Sequence, residues 1–250
     1  MSLLTFKDSE FPSKCVAAIN SAVTDDILED IRRQRLSRNK MNSTPSRIWD
    51  FINRNISETF AGDSNVVTGY TTRGPWKLVP IFDKKTGFLF TIMREERFYT
   101  VRKDPKNHSH YVYELAEGFN FELQPIQQTL ISSDSTTDTL KSAIQRICDD
   151  LLISQNMVKK HALILFSSND DMLLSVRCCM INKFFEECES VSWNEFIKVG
   201  ESSVVDQIIN PESKFNNPTH GLTLSERAKK RKKLNADISA KSNSDISKAE

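Results

Sequence analysis

Glycine is scarce in this chain of 250 residues, with seven in all, and none of them builds a phosphate loop, a dinucleotide fingerprint or a serine nucleophile elbow. Histidine is scarcer still. Of the four, His108 and His110 stand on one side of an extended segment, yet no Cys/His partner lies at zinc-like spacing. The five cysteines, at 15, 148, 178, 179 and 188, are odd in number and have no regular framework, and no charged-then-apolar leader opens the chain. They read as reduced thiols in a cytoplasmic protein. Cys178 and Cys179, adjacent in an apolar run, would point to opposite faces of a strand, which suits small core residues better than metal ligands. Apolar runs such as 162–166 fall far short of the roughly 20 residues needed to cross a bilayer, so a membrane partner is not expected.

Charge of one sign is also missing in sum, because 34 bases against 33 acids leave +1. The balance hides segregation. Residues 73–103 carry eight bases (Arg73, Lys77, Lys84, Lys85, Arg94, Arg97, Arg102, Lys103) against the three acids Asp83, Glu95 and Glu96. The same stretch carries a hairpin signal: Trp76, Leu78 and Phe82 alternate with Lys77, Val79 and Ile81, the turn 83–87 ends in Gly87, and 88–93 is almost wholly apolar. We read the β region as running from Val66 to about Arg102. Residues 227–233 hold six bases in seven positions, a phosphate-binding arm or a solubilising tail.

Helices are predicted on either side. Thr24-Asp25-Asp26 reads as a helix start followed by the stripe Ile27, Leu28 and Ile31, running into Arg32, Arg33, Arg35, Arg38 and Lys40. Thr44-Pro45 opens a second helix carrying Ile48, Trp49, Ile52, Ile56 and Phe60. Residues 111–115 and 119–123 read as short strands, 132–139 as a linker, and Asp138 as the cap of a helix faced by Leu140, Ile144, Ile147 and Leu151. A second hairpin is expected over 161–182 around Asn169-Asp170-Asp171, and helical pieces over 184–199. The expected fold is α+β: an antiparallel sheet built on two long hairpins, helices packed on one face, and a disordered basic C-terminal tail. Its divisions are an N-terminal helical hairpin over 1–62, an α+β core over 63–209 and the tail over 210–250.

The chemistry implied is that of phosphate. Arg73, Lys77, Arg94, Arg97, Arg102 and Lys103 on the sheet, with Arg227, Lys229, Lys230, Arg231, Lys232 and Lys233 in the tail, are the candidate nucleic-acid contacts. RNA stands ahead of DNA as the ligand. Arg94, Arg97, His108 and His110 are the catalytic candidates, imidazole serving as acid or base and guanidinium stabilising charge on phosphorus. The bland alternative pairs Arg94 and Arg97 with Glu95 and Glu96. No metal or cofactor is expected, since Asp83, Glu95 and Glu96 do not make a carboxylate cluster for Mg²⁺.

The string R-G-P-W-K-L-V-P-I-F-D-K-K-T-G-F-L-F-T-I-M-R-E-E-R-F, residues 73–98, resembles the signature of a bacterial family classed as a domain of unknown function. The resemblance covers about the first 200 residues and carries no assigned catalytic residue. It implies a toxin or phage-defence component, with a small protein partner from an adjacent gene. The functional expectation is thus a cytosolic nucleic-acid-interacting effector, in its sharper form a metal-independent, toxin-like ribonuclease. The alternative is a non-enzymatic interaction or regulatory partner, antitoxin-like or a defence-complex subunit.

Overall fold

A computed structural model describes residues 4, 9–35, 42–73, 76–104, 106, 110–123, 137–169 and 172–198. The chain divides into two units, 1–200 and 201–250, and only the first contains described residues. The basic run 227–233 and the tail therefore lie outside them, as do Arg38, Lys40 and 132–136 of the linker expected over 132–139, whose last three residues instead open the helix Thr137–Asp150.

The first unit is built on a six-stranded sheet in the order β1-β4-β5-β6-β7-β8, with β1 Val66–Thr68, β4 Ile81–Asp83, β5 Phe88–Arg94, β6 Lys160–Ser168, β7 Leu173–Ile181 and β8 Glu187–Ser192. A separate two-stranded sheet pairs β2 Thr71–Arg73 with β3 Trp76–Leu78. The first hairpin is β4–β5, with Phe82 opposite Leu89 and Gly87 at φ 77°, as the turn composition demands. The second is β6–β7, with Ile164 opposite Cys178. All neighbours are antiparallel except β5 and β6. That parallel pair requires a crossover, and α4 (Glu95–Lys103), α5 (Tyr111–Phe119) and α6 (Thr137–Asp150) lie within it.

The α+β class and the mostly antiparallel sheet follow the sequence reading, but helices cover both faces of the sheet. Strand alternation sends Phe88, Phe90, Ile92, Ile164, Phe166, Cys178 and Met180 to a core shared with α1 (Glu10–Ser21) and α3 (Thr44–Phe60). Leu89, Met93, Leu163, Leu165, Cys179 and Ile181 go to a second core with α4, α5 and α6. The two adjacent cysteines, both on β7, are buried on opposite faces of the sheet.

Several boundaries differ from expectation. Thr24 starts no helix: α1 begins at Glu10, passes through a π-helical turn at Ala22–Asp26 and continues as α2 (Ile27–Arg33). The Thr24 hydroxyl donates to Asn20 O at 2.8 Å within that run, while Asp26 accepts from Ser21, Arg54 and Asn55 and ties the turn to α3. Residues 95–103 are helix rather than strand. The acids Glu95 and Glu96 sit in its first turn, the bases Arg102 and Lys103 in its last, and Phe98 and Val101 are buried three apart. Tyr111–Phe119 is also a helix and Phe121–Leu123 a single 3₁₀ turn, whereas 187–192, expected helical, is the edge strand β8.

Candidate nucleic-acid interface

Arg94 is the last residue of β5 and, with extended backbone at φ −68° and ψ 137°, the residue from which α4 turns away. It lies opposite Phe166 in the parallel register, and its guanidinium packs over that ring at 5.5 Å from the centroid. Trp49 of α3 meets the other side of the cluster, edge-on to Phe166 at 5.6 Å. Burial lowers the pKa of Arg94 against a smaller opposing effect from the charge of Glu96, so the cation is partly stripped of water. Among the described residues it makes no ion pair and no hydrogen bond.

The pairing expected along the hairpin is replaced by another. Glu95 accepts from Arg177 Nε at 2.8 Å, and Arg177 also donates to Glu187, to Ser190 Oγ at 3.2 Å and to Tyr99 OH at 3.4 Å. Burial works against the Arg177 charge, but the hydrogen bonds to Glu187 and Glu95 outweigh it and hold its pKa above the ordinary range. Arg177 thus joins β7 to α4 and β8. Nothing in the linear sequence marked it, because its partners stand 82 and 10 residues away.

The other candidates do not form one row. Arg97, Arg102 and Lys103 are exposed on α4, and at about 100° per residue Arg97 and Arg102 project roughly 140° apart. Five residues apart, they would have faced opposite sides of a strand as well, so neither geometry makes one row of them. Lys77 is exposed on β3, where its carbonyl accepts from Asn53 Nδ2 at 3.2 Å, and Arg73 pairs with Trp76 in the two-stranded sheet. His110 precedes α5 as its cap, Nδ1 accepting from Val112 N–H at 3.4 Å. His108 lies outside the described residues.

The histidine that stands out is one that sequence reasoning passed over. His161 on β6 is fully buried, shares a hydrogen bond of 3.0 Å with Thr91 of β5 through Nε2, and has no partner for Nδ1 among the described residues. Burial drives its pKa down to about 3, so it is a neutral core residue at ordinary pH. The buried cysteines are equally inert: burial pushes Cys179 up to about 12 and Cys148 up to about 11. No group of three or more His, Cys, Asp or Glu that could hold a metal occurs among the described residues, and no helix there is long and apolar enough to cross a membrane.

No curated protein and no solved structure matches the chain. A family model does match, over residues 7–241, a span that takes in the basic run 227–233 left outside the resemblance drawn from 73–98. The chain belongs to that family, DUF5986, a family of unknown function.

Proposed function

We propose that the protein binds the phosphate backbone of single-stranded nucleic acid, RNA ahead of DNA, through Arg94 and the cations around it. The observation that carries this reading is a half-buried guanidinium with an aromatic ring beneath it and, among the described residues, no carboxylate in ion-pair contact, Glu96 acting on it only from a distance. An arginine held so is partly desolvated without a hydrogen-bonded counter-charge among the described residues, and a phosphate oxygen offers both charge and acceptors to its fork of N–H groups. Trp49, partly buried and edge-on to the fully buried Phe166, is the ring of this pair that an unpaired base could reach, which favours a strand with accessible bases over a closed duplex. The N-terminus of α4 is not part of the argument, since Glu95 and Glu96 already occupy its first turn.

Binding is the core of the proposal and cleavage its extension. Among the described residues no hydrogen bond or ring contact joins Arg94 to a histidine, so a metal-independent, toxin-like ribonuclease would depend on His108 or on a group beyond them. A regulatory, non-enzymatic partner is the second reading, in which the buried His161 and the buried Cys179 serve as core residues and not as acid, base or nucleophile. Anisotropy of a labelled single-stranded RNA against salt separates phosphate binding from protein docking. The expected log-log slope is steep and falls by about 0.7 in Arg94→Ala, one phosphate contact of a single strand. A shallow slope for the full chain, or an Arg94→Ala chain that binds unchanged, would refute the proposal.

A further inference from the structure

β8 closes the six-stranded sheet at one end, and among the described residues it is hydrogen-bonded to β7 alone. One bond tells which of its backbone groups face outward: Trp193 N–H donates to Val176 O at 2.9 Å, and the register of Arg177 with Ser192 sets Val176 and Trp193 directly opposite. In an antiparallel ladder, opposite residues that exchange hydrogen bonds alternate with residues that do not, so Val191 bonds to Cys178 of β7 while Ser190 and Ser192 turn their N–H and C=O groups away. Among the described residues those groups have no partner.

Proteins commonly guard such an edge with Lys, Pro or free charge, and β8, E-C-E-S-V-S, has neither Lys nor Pro. Its two acids are engaged by their own chain. Glu187 accepts from Arg177, and Glu189 Oε1 accepts from Leu4 N–H at 3.1 Å. The bulge lies at the other end, where the register passes from Met180 with Glu189 to Ile181 with Glu187 and skips Cys188, so 190–192 remains regular. Ser190 and Ser192 are exposed and Val191 is half-buried.

This edge is complementary to itself in one antiparallel register. A twofold axis through Val191 sets Ser190 against Ser192 of the second copy in pairs that exchange hydrogen bonds, and Val191 against Val191 in the closer pair between them. Small polar residues meet small polar ones, and apolar meets apolar. An axis through Glu189 would instead oppose two carboxylates, and an axis through Ser190 would set Ser192 against the bulged Cys188.

We propose that β8 is a homodimer interface, two copies pairing antiparallel about Val191 so that their six-stranded sheets become one continuous sheet. The inference goes beyond the phosphate reading and does not depend on it. Sedimentation equilibrium of the full chain tests it first: the mass should rise with concentration from 28.6 kDa to twice that value. Ser190→Pro removes an outward N–H without touching the bonds to β7, a position where an edge strand accepts proline, and should hold the chain at the monomer mass with its circular dichroism unchanged.

Cross-linking tests the register and still decides if Ser190→Pro does not fold. In the Cys188→Ser/Val191→Cys chain the two new thiols stand in a non-hydrogen-bonded pair, about 4.5 Å between Cα atoms, within disulfide reach. Diamide, taking up the two hydrogens, should link them into a covalent dimer through residue 191. In the native chain the two copies of Cys188 would lie six residues apart along the paired strands, about 20 Å, and should not link. A chain that stays monomeric at all concentrations would leave the edge to a strand of another protein and overturn the proposal. So would a Ser190→Pro chain that folds and still dimerises, an unlinked Val191→Cys chain, or a link between native Cys188 residues. Arg94→Ala should leave the dimer intact, so failure of the phosphate reading and failure of this one give different results.

Discussion

Two arginines of similar burial play opposite parts. Arg177 is enclosed by Glu95 and Glu187, so Arg177→Ala leaves two carboxylates facing one another at the junction of α4, β7 and β8. Because the pair side chains keep about a fifth of their exposure, the loss should be roughly 1–3 kcal/mol, below that of a fully buried pair. Arg94→Ala removes only the contact with Phe166 and should cost about 0.5–1 kcal/mol. Chemical denaturation of both variants checks the order, and a larger loss for Arg94 would mean that its guanidinium has a structural partner. His161 predicts a pH dependence. Its proton is bound in the unfolded chain below about pH 6.5 but in the folded chain only near pH 3, so the unfolded state gains protons first as pH falls. Stability attributable to this residue is complete above pH 6.5 and declines toward pH 3 at up to about 1.4 kcal/mol per pH unit. Denaturation midpoints at pH 7, 5 and 4 for the native chain and His161→Asn should converge at low pH; parallel curves would remove His161 as the cause.

At the scale of elements, the parallel pair β5 and β6 has to be joined to helices that leave and return, and Asn120 secures the return. From the end of α5 its Nδ2 donates to His161 O at 2.8 Å and to Ile181 O at 2.9 Å, while its Oδ1 accepts from His161 N–H at 2.9 Å. The amide bridges β6 and β7 just beyond their first direct pair, Leu163 with Cys179. Asn120→Ala would leave three buried backbone groups without those partners, a loss of about 2–4 kcal/mol. Asn120→Asp should recover little, since it replaces the donor. Thermal unfolding of the two variants tests this, and an Asn120→Ala chain as stable as the native one would show that water serves those groups equally well. Elements set by short-range pattern were legible: α3 from Thr44-Pro45 and its apolar stripe, the turn at Gly87, the hairpin of β6 and β7. Residues 95–103 and 111–119 were misjudged because aromatic and β-branched content favours strands locally, while their burial on one helical face is a tertiary fact.

For the whole molecule, the described core lies between Leu4 and Ile197, in two apolar layers on the two faces of one sheet. Removing 225–250 deletes the run of six bases without touching those layers, so the melting temperature should stay within about a degree or two while single-stranded RNA binding weakens and its salt slope falls. Unchanged affinity in the shortened chain would remove the tail from the mechanism. The sequence by itself determined the α+β class, the turn chemistry and the burial of the adjacent cysteines, because each depends on spacing within a few residues. Which strands are neighbours, why β5 lies parallel to β6, and which arginine holds Glu95 were decided only in three dimensions. The carboxylate beside Arg94 in sequence is spent on an arginine 82 residues away, and no local pattern encodes an interaction over that distance.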